Sequence, residues 1–366
     1  VKDYANTFDT NNCLLVPNGS DKIGGTAQTA TLSLDGLAVT LVFVDSTQGW
    51  LVTDSGLQDE SPTNSFICAS VSGACNTLVT APCCSNTKVA TFVGPGTFTV
   101  SGISNCAANN LVSYMVVAGG GGSQEGAGGA GGYREVKSPT SPYTASPLDG
   151  YPNSPNRVTV TATAFPITVG AGGPAGIPNP DPAPPTTTGQ PGSVSTFSTI
   201  TSAGGGGGGR YTANPSDRNG GLPGGSGGGS AAHPNPAPAT VGGTGNTPQG
   251  QNGGPSNGGY PNWAGGGGGA GGVGSTGNSS GGAPGGTGTT SSITGSAVAR
   301  AGGGGGGVPS PGGTSTGGSG GGGTGACTPG NGATAGTANT GGGAGGTWSH
   351  PGNSGGSGIV VIRYKF

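Results

Sequence analysis

Short apolar runs of β type recur along this chain, and most of them stop at a turn signal or at glycine. Cys13-Leu-Leu-Val16 is a compact apolar run, and Ala30-Thr-Leu-Ser-Leu34 alternates apolar and polar positions, as a half-buried strand does. Asp35-Gly36 then marks a turn before Ala38-Val-Thr-Leu-Val-Phe-Val44, so a hairpin is expected between the two runs. Trp50-Leu-Val52 adds a further strand. Beyond residue 110 the runs lead into glycine. Leu111 to Val117 precedes Gly119 to Gly122, Phe165 to Val169 precedes Gly170, Phe197 to Thr201 precedes Gly204 to Gly209, and Ser292 to Val298 precedes Gly302 to Gly307. Ile359-Val-Val-Ile-Arg-Tyr364 reads as a closing strand.

Glycine changes this picture. The 366 residues include 89 Gly and 30 Pro, and all but ten of the glycines lie from Gly119 onward. Such runs bury almost no apolar surface and lose more backbone entropy on ordering than any other residue. They either stay disordered or form extended left-handed helices whose bare backbones bond one another. No strict Gly-X-Y period is present, which excludes collagen. A charged fraction of only 7% is too low for a solvated coil, and the strand-type punctuation points the same way. The expected fold is mainly β plus a lattice of polyglycine II (left-handed extended) helices, with little or no α-helix.

Ser113-Tyr-Met-Val-Val-Ala-Gly-Gly-Gly-Gly122, Gly131-Gly-Tyr-Arg134, Ser198-Thr-Ile-Thr-Ser-Ala-Gly204 and Ser357-Gly-Ile-Val-Val-Ile-Arg-Tyr364 resemble the glycine-rich domain of bacteriophage tail fibres and adhesins, the marine-phage type in particular. The resemblance spans roughly residues 90 to 366. It implies stacked polyglycine II helices that display variable loops to a host receptor, either an outer-membrane protein or a surface glycan. Lys2-Asp-Tyr4, Phe8 to Asn12, Asn18-Gly-Ser20 and Val44 to Trp50 resemble a small β-domain of tail-fibre and other virion proteins, from which one or two leading strands are missing here. The resemblance thus implies residues 1–56 as a fibre-attachment β-domain, 57–89 as a Cys-rich linker, and 90–366 as the glycine-rich domain closed by strands 111–117 and 359–364. The implied location is the distal tail fibre of a virion, beside other fibre chains in an assembly such as a homotrimer. A structural fibre or capsid decoration without receptor specificity is the alternative. Val1 opening in place of Met suggests a piece of a longer or processed chain.

Residues 1 to 86 hold eight acidic groups against Lys2 and Lys22, and the remainder holds nine basic and five acidic residues. No basic run or aromatic–basic interleaving supports nucleic-acid binding. No stretch of 18 apolar residues predicts a membrane span. Seven cysteines include Cys68, Cys75, Cys83, Cys84 and Cys106 near the junction, with Cys13 and Cys327 apart. One or two disulfides there and reduced thiols are both open, and the spacing fits no paired zinc knuckle. His233 and His350 each precede Pro without an acid or nucleophile at a familiar spacing, so an enzyme, a cofactor and a metal are not expected.

If each glycine run crosses the lattice once, fourteen passes start at Gly119 and the last returns to the strand end. Loops at the far end are then Ser123–Glu125, Pro174–Thr188, Arg210–Asn219, Asn246–Gln249, Ser275–Ser280, Val308–Pro311 and Thr347–Pro351. Arg210, Tyr211, Asp217, Arg218, Trp348 and His350 are the candidate receptor-binding residues among them, because Tyr, Trp and Arg give rigid area and directed donors. Capping of helix ends by Tyr211 and Trp348 is the alternative. Tyr260 and Trp263 are expected at the strand end.

Overall fold

The computed structural model describes residues 1–56, 66–82, 84–177, 187–211, 220–232, 240–257, 263–278, 282–310, 313–328, 330, 332–348 and 350–366. The chain divides into two compact units, Val1–Asn64 and Ser65–Phe366. It is mainly β, with two 3-10 turns and no α-helix among the described residues.

In the first unit, β1 (Cys13–Leu15) pairs with β2 (Ala30–Leu32), and β3 (Ala38–Asp45) pairs with β4 (Gly49–Gly56). The hairpin expected across Asp35-Gly36 is therefore corrected, since its two arms belong to different sheets. Lys2 bridges to Ala38, and Val1 and Val39 exchange backbone bonds at 2.9 Å, so the N-terminal residues take that edge of β3. The turn itself survives: Gly36 has φ +69° and donates its N–H to Asp3 Oδ2 at 3.1 Å. The same carboxylate accepts the N–H groups of Thr7 and Phe8. Burial works to raise the Asp3 pKa, but these backbone donors outweigh it and the net direction is down. Val39 is the one buried apolar side chain among the described residues of this unit, and an open cavity of about 730 Å³ lies among Val1, Leu14, Val16, Ile23, Leu41 and Trp50.

The second unit begins with β5 (Cys68–Ser72), β6 (Thr77–Ala81), β7 (Cys84–Phe92) and β8 (Gly96–Gly102). The segment expected as a linker up to residue 89 thus supplies three strands. Its boundary moves because Val89 and Ala90 are core residues of the sheets. Cys13, Cys68, Cys75, Cys106 and Cys327 are free thiols, which removes a disulfide among these five; Cys83 lies outside the described residues.

Two sheets face each other around one core. The first runs in the order β10 (Tyr133–Val136), β9 (Leu111–Val117), β19 (Ile359–Lys365), β7, β6, with β11 (Val158–Thr159) also on β9. The second is β14 (Ile200–Ser202), β13 (Ser195–Phe197), β12 (Ala164–Thr168), β8, β5. Tyr114, Val116, Val360, Ile362 and Tyr364 point inward against Phe98, Val100, Ile167 and Phe197. Phe98–Tyr364 and Tyr114–Phe197 meet edge to face at 5.5 and 5.9 Å. The opposite face, with Met115, Val117, Ile359 and Val361, packs on Ile293, in the loop of the hairpin of β15 (Thr289–Ser291) and β16 (Val298–Arg300), and on Ala301 just after it. Both faces of β9 and β19 are covered, which is why these strands are near-continuous apolar runs. The two strands pair antiparallel, Ile359 with Val117 through Arg363 with Ser113. A final short pair, β17 (Thr314–Ser315) with β18 (Gly325–Ala326), lies within the glycine tract.

The glycine segments belong to neither helix nor sheet, and their hydrogen bonds repeat every three residues. In Gly126–Gly132 the N–H groups of 126, 129 and 132 donate to the carbonyls of Gly209, Gly206 and Ala203. Those of 127 and 130 reach Gly265 and Gly268, and those of 128 and 131 reach Ala344 and Gly341. One pass therefore bonds three neighbours in rotation. The same rotation governs Gly302–Gly307, which donates in turn to Gly320, Gly286, Gly128, Gly323, Ala283 and Glu125. Neighbouring backbones come so close that a Cβ at Gly304 would lie 1.9 Å from the Ala344 carbonyl oxygen. Each such bond stabilises by about 1 kcal/mol net, so the lattice depends on their number.

The direction of the passes corrects the one-run-one-pass count. Leu222 and Gly225 donate to Gly207 and Gly204, whereas Ser226 and Gly229 donate to Ala130 and Ala127, so the chain reverses near Gly224–Ser226. A second uncounted reversal lies at Ala270–Gly272, where Gly269 donates to Gly272. Between them near and far are exchanged. Asn246–Gln249 lies at the strand end, where Tyr133 and Ala203 donate to Gln249, and Trp263 lies at the far end beside the pass that starts at Gly126. Tyr260 lies outside the described residues.

Two outcomes test this architecture. Gly304→Ala lowers stability by about 1–3 kcal/mol or more through overpacking, whereas Gly94→Ala, whose nearest neighbour would be Ala74 O at 4.0 Å, changes it by well under that; thermal denaturation reads the difference. In the first unit the lowered Asp3 pKa gives a contribution that is present above the unfolded value of about 3.9 and lost as pH falls through the folded one. Exchange of the Gly36 amide therefore accelerates below about pH 4, and Asp3→Asn removes that acid response.

Candidate functional site

The far end of the lattice is built around one polar turn. Ser123, Gln124 and Glu125 reverse the chain between Gly119–Gly122 and Gly126–Gly132, and all three are fully buried. Ser123 Oγ donates to Gly345 O at 2.7 Å, and Gly176 and Asn353 donate their N–H groups to Ser123 O and Oγ. Passes distant in sequence are thereby tied to one turn.

Gln124 organises the side chains above it. Its Oε1 accepts the Tyr211 N–H at 2.9 Å and its Nε2 donates to His350 O at 3.2 Å, while its own carbonyl accepts the Thr347 N–H at 2.8 Å. Thr347 Oγ1 donates to His350 O at 2.8 Å. The His350 ring nitrogen Nδ1 lies 2.6 Å from Trp348 O; a carbonyl only accepts, so Nδ1 carries the proton. Trp348 N–H donates to Cys327 O at 3.0 Å.

Of the residues singled out from the sequence, Tyr211 and Trp348 meet with ring centroids 6.3 Å apart and planes tilted by 50°. Both are half-buried, and His350 beside them is exposed. Arg210 precedes Tyr211 on the same pass and is half-buried. Asp217 and Arg218 lie outside the described residues. Burial raises the Tyr211 phenol above its ordinary value, and the Glu125 charge adds to this. Each aromatic ring thus buries one part against the lattice end and presents the rest to solvent. Capping and recognition are compatible in this arrangement, because anchoring restricts the rotamers that a binding surface would otherwise have to order.

Four residues of the far end escaped the sequence reading. Gln124 and Glu125 fall in an expected tip loop, and two long polar side chains between bare glycine runs are the visible signal there. Ser230 and Trp263 carried no such signal, since their position follows from the uncounted reversal. Glu125 has both carboxyl oxygens buried without a protein hydrogen-bond partner, as do Ser230 Oγ and Trp263 Nε1. Among the described residues no group of three His, Cys, Asp or Glu could hold a metal ion, and no helix is long and apolar enough to cross a membrane.

Gln124→Leu leaves the Tyr211 N–H without its partner, removes one of the two donors to the His350 carbonyl and costs about 1–3 kcal/mol; the expected result is a lower melting temperature together with faster exchange at the Tyr211 amide.

No characterised protein and no solved structure matches this chain. Residues 92–365, from the last residue of β7 to the last residue of β19, match the family model described as glycine-rich domain, and the chain belongs to that family.

Proposed function

We propose that the chain is the tip adhesin of a bacteriophage tail fibre, and that its glycine passes are polyglycine II helices serving as a rigid display scaffold. The observation that carries this reading is the anchored Tyr211–Trp348 pair, with Arg210 and His350 beside it, on the end of the lattice opposite the closing strands. The three-residue rotation of hydrogen bonds supports the polyglycine II assignment, because a threefold helix returns to the same neighbour every third residue. Aromatic and cationic side chains on a preordered base suit recognition of a host outer-membrane protein or surface glycan. The first unit, with its sparse core and open cavity of mixed polar and apolar lining, suits attachment to other fibre chains, and the working place of the protein is the distal end of the virion tail fibre.

The test is binding of labelled purified chain to phage-susceptible and phage-resistant host cells. Selective binding to susceptible cells, weakened tenfold or more in Tyr211→Ala and Trp348→Ala, supports the adhesin. Equal or absent binding overturns it in favour of a structural virion component.

A further inference from the structure

Three buried polar groups at the far end that lack a hydrogen-bond partner among the described residues, on Glu125, Ser230 and Trp263, belong to three mutually bonded passes. Ser226 and Gly229 donate to Ala130 and Ala127; Ala127 donates to Gly265; Gly265 donates to Ser230. Gly126–Gly132, Ser226–Ser230 and Trp263–Ala270 therefore form a triangle, and Glu125, Ser230 and Trp263 sit at one end of it. Glu125 is fully buried, and its carboxyl meets no protein donor. Its main chain is nevertheless central to the end. Glu125 O accepts the Gly307 N–H at 2.9 Å, and the preceding Gln124 holds Tyr211, Thr347 and His350.

We propose that Glu125 is a proton-dependent latch: its neutral carboxyl lets the Ser123–Glu125 turn close under the Tyr211–Trp348 pair, and its ionisation releases the turn. Burying an unpaired carboxylate costs far more than burying the acid, and no described donor offsets that cost. Desolvation accordingly holds the Glu125 carboxyl well above its ordinary value. The titratable or charged groups brought towards the turn are Tyr211 and Arg210 from one pass, His350 from another and Cys327 beyond Trp348. The other passes packed on the turn bring none among their described residues. The closed end binds the proton more tightly than the open end. Closure is therefore fully favoured below the open-state value of about 4.3, and it weakens as pH rises towards the closed-state value. Glu125 acts on the surface aromatic pair through Gln124, as a positioning residue. The latch is a property of the lattice end and stands whether or not that end meets a receptor.

Hydrogen exchange on the full chain tests it without any ligand. The readout is the exchange of the Gly307 and Thr347 amides between about pH 5 and 8, corrected for the intrinsic rate. In the wild type their opening rises by up to tenfold per pH unit. In Glu125→Gln and in Glu125→Leu it stays flat, while the Ala130 amide inside the lattice stays protected in all three. A slope that persists in either variant, or that is absent from the wild type, overturns the proposal. Receptor binding enters none of these readings, so failure here and failure of the adhesin reading are separate results.

Discussion

Hydrogen bonds between bare backbones are the interaction on which the second unit depends. In most folds such bonds join side-chain-bearing strands or close a helix on itself, and hydrophobic burial supplies the driving force. Here one extended pass donates to three different neighbours in rotation, so an inner pass such as Gly126–Gly132 sits inside a ring of others and its amide groups are satisfied on every side. The arrangement requires interbackbone distances that leave no room for a Cβ, as the 1.9 Å approach at Gly304 illustrates. Glycine is then the residue the geometry demands, despite its entropic cost. Many weak bonds share one constraint, so the loops between passes are free to vary while the passes are not.

The β-sandwich gives this lattice a boundary. A block of side-chain-free passes has no greasy interior of its own, and the apolar side chains gather where β9 and β19 pair. One face of that sheet packs into the sandwich around Phe98, Tyr114 and Phe197, and the other onto Ile293 and Ala301. Arg363 is buried there too, donating to Ile293 O at 3.0 Å and Pro142 O at 3.2 Å, which ties the closing strand to two loops. The first pass and the last therefore share one end: Gly119 follows Val117 and Gly358 precedes Ile359. The opposite end is closed differently, by the amide of Gln124, the hydroxyls of Ser123 and Thr347 and the rings of Tyr211 and Trp348.

That asymmetry separates the apolar core from the polar turn. Apolar burial and strand pairing lie at one end, and the polar turn with its half-buried aromatic pair lies at the other. Buried polar atoms without a protein partner are rare in folded proteins, and here Glu125, Ser230 and Trp263 place theirs on the same triangle of passes.

Local pattern carried much of this architecture. Leu111–Val117 and Ile359–Tyr364 are legible as strands because both faces of a covered sheet select apolar residues, and the glycine runs are legible as ordered because so few charges could not keep them solvated. Tyr211 and Trp348 could be placed together by counting passes, since no reversal was missed before the first and the reversals missed before the second are even in number and cancel. Other features were set by contacts distant in sequence. Asp35-Gly36 reads as a hairpin turn, yet the edge of β3 goes to Val1 and Lys2, and Asp3 holds the Gly36 amide. Residues 68–89 look like a linker because their apolar positions make sense only against β8 and β19. Glycine has no side chain to mark where a pass ends, so the reversals at Gly224–Ser226 and Ala270–Gly272 are silent in the sequence. Composition thus determined that bare backbones must satisfy one another, whereas the tertiary structure alone decided which passes are neighbours and which side chains meet at their ends.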